Sequence, residues 1–337
     1  VWGVPLLADP LSGARYGPDD GTVTCTAYDL FWWGRDVGES LEPDVIVRVG
    51  SAPTSAPLLG WMDRHAGAVP VVVAAGRRWK DHLARADRVV QACAVDTAGR
   101  LAVSMRPLAG KGWTARWSAV DGAAGTSFDG VRDGDDGAHE GRFARAVLEA
   151  LPDDGTLFVS SSMPVRDLDG YGGGAVGARR VYGNRGARGI DGIVSTALGV
   201  AAASAGPAVA LVGDLAFLHD VNGLLAAREA DAAVVFVVVN NDGGGIFHML
   251  PVREHEPAFT PFFATPHGAE LRHGSALYGV PHTVVGAADL HGEVRRALQQ
   301  ARTRLLEVPA DRDQNRPGHE ASAQRAVEAA RQLLAGA

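Results

Sequence analysis

Two short segments carry the residue types of a divalent-cation and phosphate site. Gly213-Asp214-Leu215 follows an apolar run ending at Val212, and Asn240-Asn241-Asp242-Gly243-Gly244-Gly245 follows another ending at Val239. Asp214 and Asn241 are 27 residues apart, the length consumed by one crossover helix and one strand. In an open parallel sheet that spacing puts both at the carboxyl edge of neighbouring strands, where such sheets bind ligands. A carboxylate oxygen from Asp214, an amide oxygen from Asn241 and a glycine-freed main-chain carbonyl supply part of an octahedral oxygen set. Mg2+ takes such a set when phosphate oxygens and water complete it. Glycines after Asn241 let the backbone approach a bulky diphosphate closely. Either segment alone reads as an ordinary turn; the signal is their joint occurrence at this spacing.

The elements that must position these residues are legible as alternating apolar runs and helical patterns, the signature of parallel sheets with crossover helices. The 337 residues suit two domains. Strands are predicted at Val4–Leu7, Asp44–Val49, Ala68–Ala74 and Arg88–Cys93, with a helix over Thr54–His65. Ala119–Ala138 is rich in Gly, Asp, Ser and Ala and reads as a linker. Beyond it come a helix at Arg142–Leu151 and strands at Thr156–Ser160 and Arg180–Gly183. Helix Asp191–Ser204, strand Ala208–Val212, helix Asp220–Ala230 and strand Ala233–Asn240 follow. The end reads as helix Ala269–Tyr278, strand His282–Val285, helix Leu290–Ala301, strand Arg304–Val308 and helix Glu320–Leu334. The expected architecture is α/β, two doubly wound domains with mostly parallel sheets, divided as 1–118, a linker 119–138, and 139–337.

Composition excludes several classes. Net charge is −7, which argues against a nucleic-acid or anionic-membrane partner. Cys25 and Cys93 are the only cysteines, too few and too far apart for a disulfide framework or a zinc site, so a reducing, cytoplasmic setting is the default. Neither of the longest apolar runs, Ala197–Val212 and Ala232–Val239, gives the unbroken stretch of about 18 residues that a membrane helix needs. The chain begins with Val, and Val4–Asp9 reads as a buried strand with nothing before it. That suggests either further upstream sequence or a trimmed start.

The paired segments resemble the thiamin-diphosphate-binding motif, with Leu215 at its third position. Ser161-Ser162-Met163-Pro164-Val165-Arg166-Asp167, Asn184-Arg185-Gly186-Ala187-Arg188-Gly189-Ile190-Asp191-Gly192, Gly213–Leu224 and Asn240–Pro251 occur in order. Together they resemble the 2-succinyl-5-enolpyruvyl-6-hydroxy-3-cyclohexene-1-carboxylate synthase (MenD) family, from about Val4 to the end of the chain. The resemblance implies a thiamin-diphosphate-binding fold beside a central domain lacking its first strand. It implies a transferase of menaquinone biosynthesis that decarboxylates 2-oxoglutarate and adds the succinyl unit to isochorismate. The implied cofactors are thiamin diphosphate and Mg2+, with Mn2+ as a substitute, in a homodimer or homotetramer with its sites between subunits. The implied metal ligands are Asp214, Asn241 and Gly243. Gly213, Leu215, Gly244, Ile246 and Phe247 would join them along the cofactor. Ser162, Arg166 and Arg185 would meet substrate carboxylates, Phe247 and Leu250 would line the pocket, and Ile190 would hold the cofactor bent.

Three features depart from the family. Arg188 stands where a small residue is usual, and Ala56 where some members have a Lys. The pyrimidine-binding domain, which carries the Glu that activates the cofactor, has no counterpart here, and neither Glu229 nor Glu254 replaces it, so this chain alone is expected to be inactive. Alternatives are another thiamin-diphosphate 2-oxoacid enzyme of the acetolactate-synthase type and a non-catalytic cofactor-binding subunit. His219 and His248 lie near the same edge as supporting residues and not as general bases, and Asp220 reads as the N-cap of the helix that follows it.

Overall fold

Two strands of almost unbroken β-branched and aliphatic residues anchor the larger part of the computed structural model. The structure describes residues 3–17, 21–76, 78–104, 110–127, 139–174, 179–185, 189–228 and 233–336. These strands, Ala208–Gly213 (β8) and Val234–Asn240 (β9), are buried along nearly their whole length, as strands covered on both faces must be. Thr156–Val159 (β6), Arg180–Tyr182 (β7), His282–Val284 (β10) and Arg304–Pro309 (β11) complete a six-stranded parallel sheet, ordered β10-β11-β9-β8-β6-β7. The chain runs outward from β6 to β7 and then returns to the other side of β6 as β8. That reversal is the switch point at which such sheets open a crevice.

Side-chain parity divides the core. Leu157, Val159, Val209, Leu211, Val235 and Val237 pack on one face with helices Gly141–Ala150 (α6), Met163–Tyr171 (α7) and Leu290–Leu298 (α11). Phe158, Ala210, Val212, Phe236 and Val238 pack on the other with Ile193–Ala202 (α8) and Leu271–Leu277 (α10). A segment near the start of the chain joins this unit through Arg15, whose buried guanidinium donates to the Asp169 carboxylate and main-chain carbonyl, both at 2.7 Å.

The chain separates into two compact units. Residues 10–18 and 130–321 form the larger, and residues 1–9, 19–129 and 322–337 the smaller. The smaller unit holds a parallel three-stranded sheet of Val45–Val49 (β3), Val69–Ala74 (β4) and Arg88–Gln91 (β5), and a short parallel pair, Leu6–Leu7 (β1) with Thr24–Cys25 (β2). Trp32, Trp61 and Trp117 form its aromatic centre, with Trp32 and Trp61 stacked at 4.6 Å.

Several sequence expectations change. The stretch Ala119–Ala138 does not begin as a linker, because helix Lys111–Thr126 runs through its first eight residues. Its small residues pack closely: Val120 and Ala124 are fully buried, and Asp121 accepts the N–H groups of Thr26 and Ala27. Residues 128–138 lie outside the described residues. The last helix starts earlier than expected, at Arg312, runs to Ala335 (α12) and carries Pro317 within it; its residues from Ser322 onward group with the smaller unit. Val4–Leu7 contributes only a two-residue strand, with Leu6 exposed. The predicted helix Asp220–Ala230 is a 3-10 segment, Val221–Arg228. Gly223 there lies so close to α8 that a Cβ would meet Ser195 Oγ at 2.6 Å. Among the described residues, no helix is long and apolar enough to cross a membrane.

Leu157→Ala, at a fully buried position of β6, is expected to cost about 2–5 kcal/mol through lost transfer energy and a residual cavity. Chemical denaturation of the larger unit, followed against wild type, measures it.

Candidate functional site

Parallel pairing sets the geometry of the carboxyl edge. Gly213 pairs with Val239 across β8 and β9, so Asp214 begins a short helix, Asp214–His219 (α9), beside the turn that starts at Asn241. The Asp214 side chain is buried, and its Oδ2 accepts N–H groups from Asn241 at 3.1 Å and Gly243 at 3.0 Å. A third donor reaches the same oxygen, His267 Nε2 at 3.2 Å. The His267 tautomer follows from its other nitrogen: Nδ1 accepts the Ala269 N–H at 2.9 Å, so the proton sits on Nε2 and points at Asp214. Oδ1 accepts the Leu215 N–H at 2.6 Å. Asp214 is thus held by one saturated oxygen while the other keeps acceptor capacity. Burial pushes its carboxyl above the usual range, against the N–H donors of Gly243 and Leu215 and the His267 ring. A divalent cation beside a buried carboxylate offsets that cost.

Asn241 is also buried, and its Oδ1 makes no hydrogen bond. A buried, unpartnered amide oxygen normally costs about 1–3 kcal/mol, so its presence beside Asp214 fits a metal ligand. Gly243, at φ +141°, adopts a conformation that only glycine tolerates well, and a Cβ there would meet the Ala264 carbonyl at 2.1 Å. The Gly243 carbonyl accepts the Gly245 N–H at 3.0 Å and keeps one lone pair. Among the described residues no group of three or more His, Cys, Asp or Glu could hold a metal ion. Asp214 is the charged member of the candidate set, as suits a cation whose shell phosphates and water complete.

The irregular stretch after Gly245 folds back onto this turn. Gly244 N–H donates to the Ala264 carbonyl at 2.7 Å, and Asp242 accepts the N–H groups of His267 and Gly268. Ile246 and Phe247 lie in the 3-10 turn Gly245–Met249, where Phe247 meets Phe263 edge-on at 5.6 Å. Leu250 is exposed. Arg312, from α12, donates to the carbonyls of Asn241 and Asp242 and pins the turn.

The carboxyl ends of β6 and β7 supply the remaining sequence candidates. Ser162 precedes α7 at φ +72°, an uncommon conformation for a non-glycine residue; such positions cost about 1–3 kcal/mol and cluster at functional sites. Arg166 donates to the Ser162 carbonyl at 2.6 Å, which ties the guanidinium to that strained peptide. Arg185 follows β7 and is exposed. Ile190 is half-buried against the core on the α8 face. Arg188 and Glu229 lie outside the described residues. Asp220 does not cap the segment that follows it: its carboxylate accepts the Ser195 N–H at 2.8 Å, serving the first turn of α8. His219 lies 3.4 Å from Asp191. His248 lies 3.5 Å from Asp313, and burial lowers its affinity for a proton.

Sequence reasoning missed Glu140, His267 and Arg312. Glu140 accepts the Asn241 side-chain N–H at 2.6 Å. Burial pushes its carboxyl up to about 8, with Asp167 and Asp214 adding to the rise and the Asn241 bond opposing it. No motif marks these residues. They are distant in sequence and reach the site through tertiary packing.

Comparison with known proteins agrees with this arrangement. Residues 176–308 match the family described as thiamine pyrophosphate enzyme, C-terminal TPP binding domain. The chain is 38% identical to the 2-succinyl-5-enolpyruvyl-6-hydroxy-3-cyclohexene-1-carboxylate synthase of Halorubrum lacusprofundi, covering 96% of this chain and 58% of that protein. The synthases of that name from Chloroflexus aurantiacus and Geobacillus kaustophilus are 40% and 37% identical, each covering 92% of this chain and 54% of the relative. The similarity to these synthases runs along nearly the whole of this chain. The chain spans about half the length of the curated relatives it matches. Benzoylformate decarboxylase from Polynucleobacter necessarius shares the fold, with a TM-score of 0.58 at 18% identity over 80% of this chain and 49% of that one.

Gly243→Ala is expected to break the turn, because both the backbone conformation and the Ala264 contact forbid a side chain. Hydrogen exchange at the N–H groups of Gly244 and His267 should rise sharply while the core strands stay protected. Unchanged exchange would show that the turn does not depend on this glycine.

Proposed function

We propose that this edge binds Mg2+ and thiamin diphosphate, and that the whole synthase uses them to join 2-oxoglutarate to isochorismate with loss of CO2. The product would be 2-succinyl-5-enolpyruvyl-6-hydroxy-3-cyclohexene-1-carboxylate. The observation that carries the reading is the buried Asp214 carboxylate clasping the Asn241 turn while the Asn241 amide oxygen stays without a partner. Similarity to the synthases along nearly the whole chain supports the substrates. Asp214, Asn241 and the Gly243 carbonyl would hold the cation, with Gly213, Leu215, Gly244, Ile246 and Phe247 along the cofactor. Ile190 would support its bent form. Bound thiamin diphosphate supplies the electron sink that loss of CO2 from a 2-oxo acid requires.

The remaining residues have work suited to substrates with several carboxylates. Arg166 and Arg185 stand beyond the ends of adjacent strands, where planar guanidinium groups can bind carboxylates through paired N–H bonds. Ser162 would present its hydroxyl beside them, and Phe247 and Leu250 would exclude water from the apolar side. A homo-oligomer with the site between subunits is part of the proposal, supported by the family resemblance.

Asp214→Ala is expected to abolish Mg2+-dependent binding of thiamin diphosphate in calorimetric titrations, because the only charged ligand disappears. Equal affinities for variant and wild type would overturn the cation site. Arg185→Ala in the intact synthase is expected to lower kcat/KM by roughly 10- to 150-fold, the equivalent of about 1.5–3 kcal/mol for one charge-assisted contact. Cofactor affinity should be unchanged. A loss confined to cofactor affinity would remove Arg185 from the substrate site.

A further inference from the structure

We propose that Glu140 is a positioning residue for the cation site: it takes the side-chain N–H of Asn241 and so turns the amide oxygen of Asn241 toward the metal. This rests on the reading of Asp214, Asn241 and Gly243 as ligands, and extends it to a residue outside both sequence segments.

An asparagine amide carries an acceptor and a donor on one flat group, and only the oxygen can ligate a cation. Rotating the amide by half a turn exchanges them at little steric cost, so the surroundings must choose. At Asn241 the choice is made by Glu140 Oε1, which accepts Nδ2 at 2.6 Å. The oxygen left over is buried without a hydrogen bond, although it belongs to a side chain only 9% exposed. Gly245 closes the same side: a Cβ there would meet Asn241 Nδ2 at 2.5 Å. The amide is therefore confined as well as oriented. Ionised or not, a carboxyl keeps an oxygen that can accept this bond.

Glu140 is itself fixed. It is 3% exposed and directly precedes α6, and its N–H donates at 2.8 Å to Oδ1 of Asn315, a buried residue of α12. A buried carboxyl near Asp167 and Asp214 is costly to place. Such a cost is understandable where a positive charge enters the cluster and hard to explain for a group that only fills space. Partners of metal ligands of this kind typically contribute 10- to 100-fold in metal affinity.

The test compares Glu140→Met, which keeps the length but removes the acceptor, with Glu140→Gln, which offers an acceptor and a donor and so leaves the Asn241 amide undirected. In the intact protein, Mg2+ is titrated at fixed thiamin diphosphate, with binding read by calorimetry. Glu140→Met is expected to raise the Mg2+ midpoint 10- to 100-fold and Glu140→Gln about 3- to 10-fold. Cofactor-binding capacity should return at saturating Mg2+, which a general loss of structure would not allow. Thermal unfolding without ligands identifies the folded variants, and if Glu140→Met does not fold, Glu140→Gln decides. A folded variant with the wild-type Mg2+ midpoint, or a loss that saturating Mg2+ does not recover, overturns the role of Glu140. Asp214→Ala run alongside separates the two readings. If that variant keeps Mg2+-dependent binding, the cation site itself is wrong; if it loses binding while the Glu140 variants match wild type, only the positioning role fails.

Discussion

A carboxylate placed at the edge of a buried parallel sheet has to be satisfied locally, and the way Asp214 is satisfied shapes everything around it. Its Oδ2 gathers the N–H groups of Asn241 and Gly243 and the His267 ring, which fixes the turn after β9 relative to the end of β8. That turn can close only because Gly243 reaches φ +141° and brings its Cα against the Ala264 carbonyl. Gly244 then donates to the same carbonyl, so the loop from Ile246 to His267 is laid down on the turn that the carboxylate organises. One oxygen of Asp214 builds the scaffold and the other remains available for a ligand.

Elements far away in sequence finish what the strand ends begin. Arg312 pins the carbonyls of Asn241 and Asp242, and Glu140 takes the Asn241 amide N–H. Asn315, one helical turn beyond Arg312, holds the Glu140 backbone. The site is thus braced by α6 and α12 as well as by its own loop. Three carboxyl groups, Asp214, Glu140 and Asp167, are buried near one another, and burial raises the proton affinity of all three. Packing on both faces of the sheet must supply the stability that this concentration of buried acid removes.

The central sheet was legible because its strands are continuous apolar runs. Val234–Val239 and Ala208–Val212 leave no other reading once turn residues bound them. Asp214, Asn241 and the glycines were legible because their spacing encodes adjacency across one crossover. Helix Lys111–Thr126 was hidden, since its buried face is built from Val120 and Ala124 around Trp117, and a Gly- and Ala-rich helix looks like a linker until its partners are known. Asp220 misled for a related reason. An acid before a helical stretch resembles a cap, but the N–H it serves belongs to Ser195 on another helix. Glu140 and His267 had no periodic or motif signal, because their roles exist only once α6 and the returning loop have packed.

The order of the strands separates two kinds of chemistry along one edge. β8 and β9 end in oxygen donors and glycines, suited to a cation and its phosphates. β6 and β7 lead into Ser162, Arg166 and Arg185, suited to carboxylates. The reversal in strand order between β7 and β8 places the first group beside the second, with the crevice of the sheet between them. Ser162 stands at the β6 end of that crevice, held at φ +72° while the Arg166 guanidinium bonds its carbonyl. The bond couples the two residues, so moving Arg166 also changes the peptide that aims Ser162. Arg185 makes no such bond among the described residues: it follows the edge strand and is exposed. A guanidinium in that position is free to meet a carboxylate without dismantling the strand end that presents it, whereas under the proposed function Arg166 would have to serve the backbone and the ligand together.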